Sequence, residues 1–199
     1  MSSVLPLRLF TAKELENEKT LVISLMDMVN DAYALQELEG SISRFKDSDE
    51  IWKDLGDDGL CAVVQDPDNG DLPVAMACAK RWTKCGGTAC EPEATGDWEI
   101  GPAASRNDPR YRKKGLVDRC LNVLYDALLD RSGAKTLTLW MKVVENLVAD
   151  FWRKKGFAQV GPRWIIPRGE WHRDQEFILI DMCKVVSRSA VDIVPANNR

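Results

Sequence analysis

Histidine occurs once in these 199 residues, and no apolar run approaches the ~20 residues that a membrane-spanning helix needs. The single histidine, His172, lies in the charged stretch WHRDQ, the setting of a surface side chain. No histidine accompanies Cys120 or Cys183, which argues against a Cys–His acyl-enzyme. Metal-ligand spacing is missing too. Cys85 and Cys90 are separated by GGTA, wider than a zinc knuckle, and no second pair lies nearby, so no metal site is expected. An excess of basic charge is also lacking. Lys and Arg number 27 against 31 Asp and Glu, for a net charge of -4, which argues against nucleic acid as a partner. The opening MSSVLPLRLFTAKELENEKT has neither a basic leader nor a sustained apolar stretch. The expectation is a cytoplasmic chain with no membrane partner and reduced cysteines, four of the six lying in apolar runs or on a helix face.

What is present is a composition suited to a well-cored domain, 45% hydrophobic and 29% charged. At this length about 70% of the chain's surface can be buried on folding. No repeat or Pro/Ser-rich linker interrupts residues 7–186, so one domain is expected over residues 5–186, with 187–199 as a loosely held tail. A short strand at 7–10 precedes a helical stripe over 14–36, and Asp47 with Glu50 reads as a capping box opening a short helix. LCAVVQ and VAMACAKRW flank the turn-forming DPDNGDLP, and WEIGPAAS is the next strand. A helix over 115–131, the strand KTLTLWMKVV, a helix over 147–155 and the strands AQVGPRWII and EFILIDMCKVV complete the series. Hairpin signals early and late, with crossover helices between, imply an α/β (α+β) fold, a mixed sheet with helices on both faces.

Residues 98–121, WEIGPAASRNDPRYRKKGLVDRCL, combine a strand, a basic loop and a helix start. Five cations (Arg106, Arg110, Arg112, Lys113 and Lys114) precede the free amides of Gly115, Leu116 and Val117. Unsatisfied N–H groups and the positive dipole end of a helix suit a phosphate, and Gly115 leaves the backbone approachable. A solvated basic loop ahead of an ordinary helix is the competing reading.

The segment resembles the central motif of the GCN5-related N-acetyltransferase (GNAT) superfamily. The resemblance is carried by Glu99, Ile100, Gly101, Pro102, Ala103, Ala104 and Ser105, then Pro109, Tyr111, Arg112, Lys114, Gly115 and Leu116. Residues 145–157, ENLVADFWRKKGF, resemble a second block of that family. Val117 stands where the family has Gly or Ala, and Trp152 where Tyr is common. The resemblance implies a GNAT fold, with six to seven mostly antiparallel strands splayed at the centre. It implies acetyl transfer from acetyl-CoA to an amine by direct attack in a ternary complex, in a monomer or homodimer. Residues implied at the cofactor are Ala103, Ala104 and Ser105 on the strand, Arg110, Arg112, Lys113, Lys114, Gly115, Leu116 and Val117 on the loop, and Asn146. Glu99 is the implied general base, and an apolar setting would make it a better one near neutrality. Trp98, Trp164 and Trp171 are candidates for the acceptor, expected to be a small-molecule amine. A protein or peptide amine, and a non-catalytic CoA-binding domain, are the alternatives.

Overall fold

The computed structural model describes residues 4–34, 43–82, 97–169 and 175–188. Seven strands form one sheet in the order β1-β2-β3-β4-β5-β7-β6. They are β1 (Leu7–Thr11), β2 (Leu60–Asp66), β3 (Leu72–Arg81), β4 (Trp98–Ser105), β5 (Thr136–Val144), β6 (Ala158–Ile166) and β7 (Phe177–Ser187). Every neighbouring pair is antiparallel except β4 and β5, which the long helix α4 (Leu116–Ser132) joins as a parallel crossover.

The remaining helices are α1 (Ala12–Asn17), α2 (Lys19–Ala34), α3 (Asp49–Leu55) and α5 (Glu145–Lys154). The stripe expected as one helix over 14–36 is thus two within the described residues. Thr11 and Glu14 form a capping box that starts α1 early, and the backbone of Glu18 (φ −103°, ψ 56°) ends it. Ahead of α3 the expected box does not form. Glu50 accepts from the Lys46 N–H, and the Asp47 carboxylate accepts from Asp49 N–H, so the N-cap moves one residue on, to Ser48.

Strand alternation divides the core. Ala62, Ala75, Ala77 and Ala79 face α4, where their small side chains let Leu121, Leu124 and Leu128 approach. Cys61, Val63, Met76 and Cys78 face the other way, against Leu25, Met28 and Val29 of α2 and Ile51 and Leu55 of α3. Both layers are near-fully buried, and truncating Leu124 or Leu128 to Ala should cost about 2–5 kcal/mol. Helices α1 to α3 therefore cover β1 to β4 on one face, while α4 and α5 cover the opposite face. Cys61, Cys78 and Cys120 are buried free thiols and Cys183 is half-buried, as expected of reduced cysteines; Cys85 and Cys90 lie outside the described residues. Among the described residues no helix is long and apolar enough to cross a membrane, and no group of side chains is arranged to hold a metal ion.

Candidate active site

Midway along β4 the sheet opens. Ile100 pairs with Ala79 and Ala103 with Ala77, so Gly101 and Pro102 together lie across from Cys78, a bulge. Gly101 has φ +148°, a conformation that side chains resist, and Pro102 brings no N–H to the ladder. On the other side, β4 pairs with β5 only at Trp98↔Leu139 and Glu99↔Trp140. Beyond Glu99 the two parallel strands part, leaving the β5 side of residues 101–105 without a ladder. This is the central splay expected from the sequence.

The same segment runs on into the basic loop and α4. Arg106 is held inward by the Pro73 carbonyl and Ser24 Oγ, at 3.1 and 3.3 Å. Tyr111 is buried and donates its phenol proton to Asp66 at 2.5 Å, which ties the loop to the β2–β3 turn. That bond holds the Asp66 carboxyl below its ordinary range, while burial raises the Tyr111 phenol. Arg110 pairs with Asp108, and Arg112 donates to Asn107 at 2.8 Å. Lys113 (φ +58°) and Gly115 (φ +69°) turn the chain into the helix, and no side chain among the described residues caps it. Among the described residues the main-chain N–H groups of Lys113 to Val117 reach no protein acceptor. The Val117 side chain packs on the core beneath α4, so its branching leaves that N-terminus open. A Cβ at Gly115 would meet only Asp118 Oδ2, at 3.9 Å, so the glycine answers to its φ rather than to crowding.

On the face away from α4, the strands bring polar and aromatic side chains together. Glu99 sits beside Lys80 in the β3–β4 register and beside Trp140 in the β4–β5 register. Trp140 stacks on Trp82 with centroids 5.1 Å apart and donates its indole N–H to Asp97 at 3.0 Å. The Lys142 ammonium lies 4.8 Å over the Trp82 ring. Burial pushes the Glu99 carboxyl above its ordinary value, with Lys80 and Lys142 pulling the other way. Asp181 faces Lys142 across the β5–β7 pair and accepts from Trp164, and burial raises it as well. Among the described residues its Oδ1 is buried with no hydrogen-bond partner.

The site residues named from the sequence fall out unevenly. Glu99, Ala103, Ser105 and the loop from Arg110 to Val117 line the strand–loop–helix path, with Ala104 turned to the α2 side of the core. Asn146 is exposed in the first turn of α5, where no side chain caps the helix. Its neighbour Glu145 clasps Arg163 of β6 at 2.6 Å. Trp164 is 42% exposed on the edge strand, while Trp171 lies outside the described residues. Trp98 must be corrected. It is 1% exposed and packs under α4, because alternation on β4 sends it to the face opposite Glu99. Trp152 is likewise core, edge-on to Phe151 and Phe157. Sequence reasoning missed Asp54, Lys80, Asp97, Lys142 and Asp181. Parity along one strand could have placed Asp97, two residues before Glu99; Lys80, Lys142 and Asp181 needed the strand register, and Asp54 the packing of α3.

No protein-family model matches the sequence, and a search of curated proteins finds no match. Solved structures do match in fold. An aminoglycoside 6'-N-acetyltransferase complexed with coenzyme A aligns with a TM-score of 0.60 at 16% identity, over 93% of this chain and 99% of that one. The ribosomal-protein-alanine N-acetyltransferase of Brucella melitensis aligns at 0.59 and 16%, over 92% and 100%. The aminoglycoside 6'-N-acetyltransferase of Enterococcus faecium aligns at 0.56 and 17%, over 93% and 99%. All three are N-acetyltransferases, and the shared architecture is the GNAT fold.

Proposed function

We propose that this chain, built on the GNAT fold, is an acetyl-CoA-dependent N-acetyltransferase whose acceptor is a small-molecule amine. The observation that carries the reading is a coincidence within one segment: a sheet that opens after Glu99, and a helix N-terminus with unbonded amides behind a basic loop. Acetyl-CoA supplies an activated thioester. Gly115, Leu116 and Val117, with Lys113 and Lys114, would hold its diphosphate through main-chain N–H groups and the helix dipole. The open β5 side of Ala103 to Ser105 would take the pantetheine amides, and the Ala103 N–H would polarise the thioester carbonyl. Glu99 takes the proton that the acceptor ammonium must lose before its nitrogen can attack. Its partial burial, which raises the carboxyl, favours that role. The indole of Trp152 is no practical acid, so the thiolate departs without a protein donor.

The neighbours include enzymes for both aminoglycosides and ribosomal-protein alanine, so the acceptor class rests on the Glu99 face itself. There the carboxylates of Glu99, Asp54, Asp97 and Asp181 outnumber the ammonium groups of Lys80 and Lys142, which suits a compact cationic amine. Thermal shift with acetyl-CoA, followed by thiol release with small amines and with peptides, tests the proposal. Stabilisation and turnover with small amines are expected. Binding without turnover would make the chain a CoA-binding domain, and faster turnover of peptides would move the acceptor class.

A further inference from the structure

The Lys80 ammonium lies between two carboxylates and favours the one that takes no part in the proposed chemistry. Its Nζ is 2.7 Å from Asp54 Oδ1 at the end of α3, and 4.0 Å from Glu99 Oε2. Lys80 and Glu99 are direct cross-strand partners, a position from which a lysine readily closes on a glutamate. All three side chains are mostly shielded, at 21%, 33% and 16% exposure for Lys80, Asp54 and Glu99, so the choice of partner has electrostatic weight. A close Lys80–Glu99 pair would neutralise the carboxylate and make it a weaker base.

We propose that Asp54 is a positioning residue for Glu99: by holding the Lys80 ammonium on its own carboxylate, it keeps that cation from closing on Glu99. The inference rests on the reading of Glu99 as the general base. The other charges on this face have partners of their own: Asp97 accepts from the Trp140 indole, and Asp181 lies across from Lys142. Lys142 of β5 is engaged with the Trp82 ring, and Arg44, ahead of α3, lies over the Phe45 ring at 4.9 Å. Both lower the Glu99 carboxyl, as Lys80 does, while burial and the Asp54 charge raise it. Asp54 therefore acts through Lys80 and adds a smaller direct repulsion of the same sign.

A side-chain carboxyl NMR titration of the whole protein reads Glu99 without any acceptor, the Glu99→Gln spectrum assigning the signal. In Asp54→Asn the Glu99 midpoint should fall by about one pH unit as Lys80 closes on it. In Lys80→Met it should rise. In the Lys80→Met background, adding Asp54→Asn should move it by less than half as much as in the parent. A merely structural role for Asp54 would lower the melting temperature and leave the midpoint alone. The proposal is overturned by an unmoved or raised midpoint in Asp54→Asn, or by an equal shift with Lys80 gone. Should Asp54→Asn not fold, an unmoved or lowered midpoint in Lys80→Met overturns it alone. Failure of the base reading shows separately, as unchanged turnover in Glu99→Gln.

Discussion

The loop ahead of α4 and the sheet face around Glu99 lie at the two ends of β4, and they use charge in opposite ways. In the loop, Lys114 is exposed, and the features that would grip an anion are main-chain N–H groups. Around Glu99 the backbone is paired and the chemistry belongs to shielded side chains whose ionisation depends on their neighbours. Binding a highly charged diphosphate needs only geometry and exposed donors. A base that works near neutrality needs a carboxylate taken partly out of water. The break in the β4–β5 ladder separates the two settings while keeping them on one strand.

That division can be broken at either end, and the Glu99 end, proposed as the catalytic one, should give the larger effect. Glu99→Gln is expected to lower kcat by roughly 10²–10³-fold, with acetyl-CoA affinity within about twofold of the parent. Steady-state kinetics beside calorimetry would show it. The same variant should melt somewhat higher than the parent at neutral pH. The folded Glu99 carboxyl lies above its unfolded value, so the ionised form is penalised, and the parent loses stability as pH rises from about 4 through the folded pKa. The gap should close as the pH falls toward 4.

At the binding end, Gly115→Val forces a branched residue into φ +69° and should weaken CoA binding by about ten- to a hundredfold. An unchanged dissociation constant would detach the loop from the cofactor. Tyr111→Phe tests how firmly that loop is anchored. Loss of the bond to Asp66 should lower Tm by roughly 2–6 °C at neutral pH. Because the folded Asp66 carboxyl lies below its unfolded value, its contribution is full above about pH 4 and fades as pH falls through the folded pKa. The Tm difference should shrink accordingly. The smallest effect is expected from Trp164→Ala, about threefold on the acceptor KM with kcat held, since Trp164 lies on the edge strand and reaches the face through Asp181.

The contrast also explains what was legible beforehand. Strand and helix order followed from apolar periodicity and turn residues. The break at Glu18 and the starts of α3 and α5 were misplaced: side-chain bonds acting over a few residues set the first two, and α5 begins two residues early with no side-chain cap. The basic loop, Gly115 and Pro102 could be read as well, because a backbone-based site leaves its mark in contiguous sequence. The Glu99 face could not. Asp54, Lys80, Lys142 and Asp181 come from four separate elements, and only the strand register and the packing of α3 bring them to one surface. Trp98 shows the cost of reading position without parity: one residue from Glu99, it points into the core beneath Arg81, whose guanidinium lies 4.3 Å over its ring.

The most direct test follows the backbone amides by NMR as CoA is added to the intact protein. The largest shifts should fall on Lys113 through Val117, with a second set along Gly101 to Ser105 where β4 has left β5. Saturating CoA that leaves the amides ahead of α4 unmoved would contradict the account at its base.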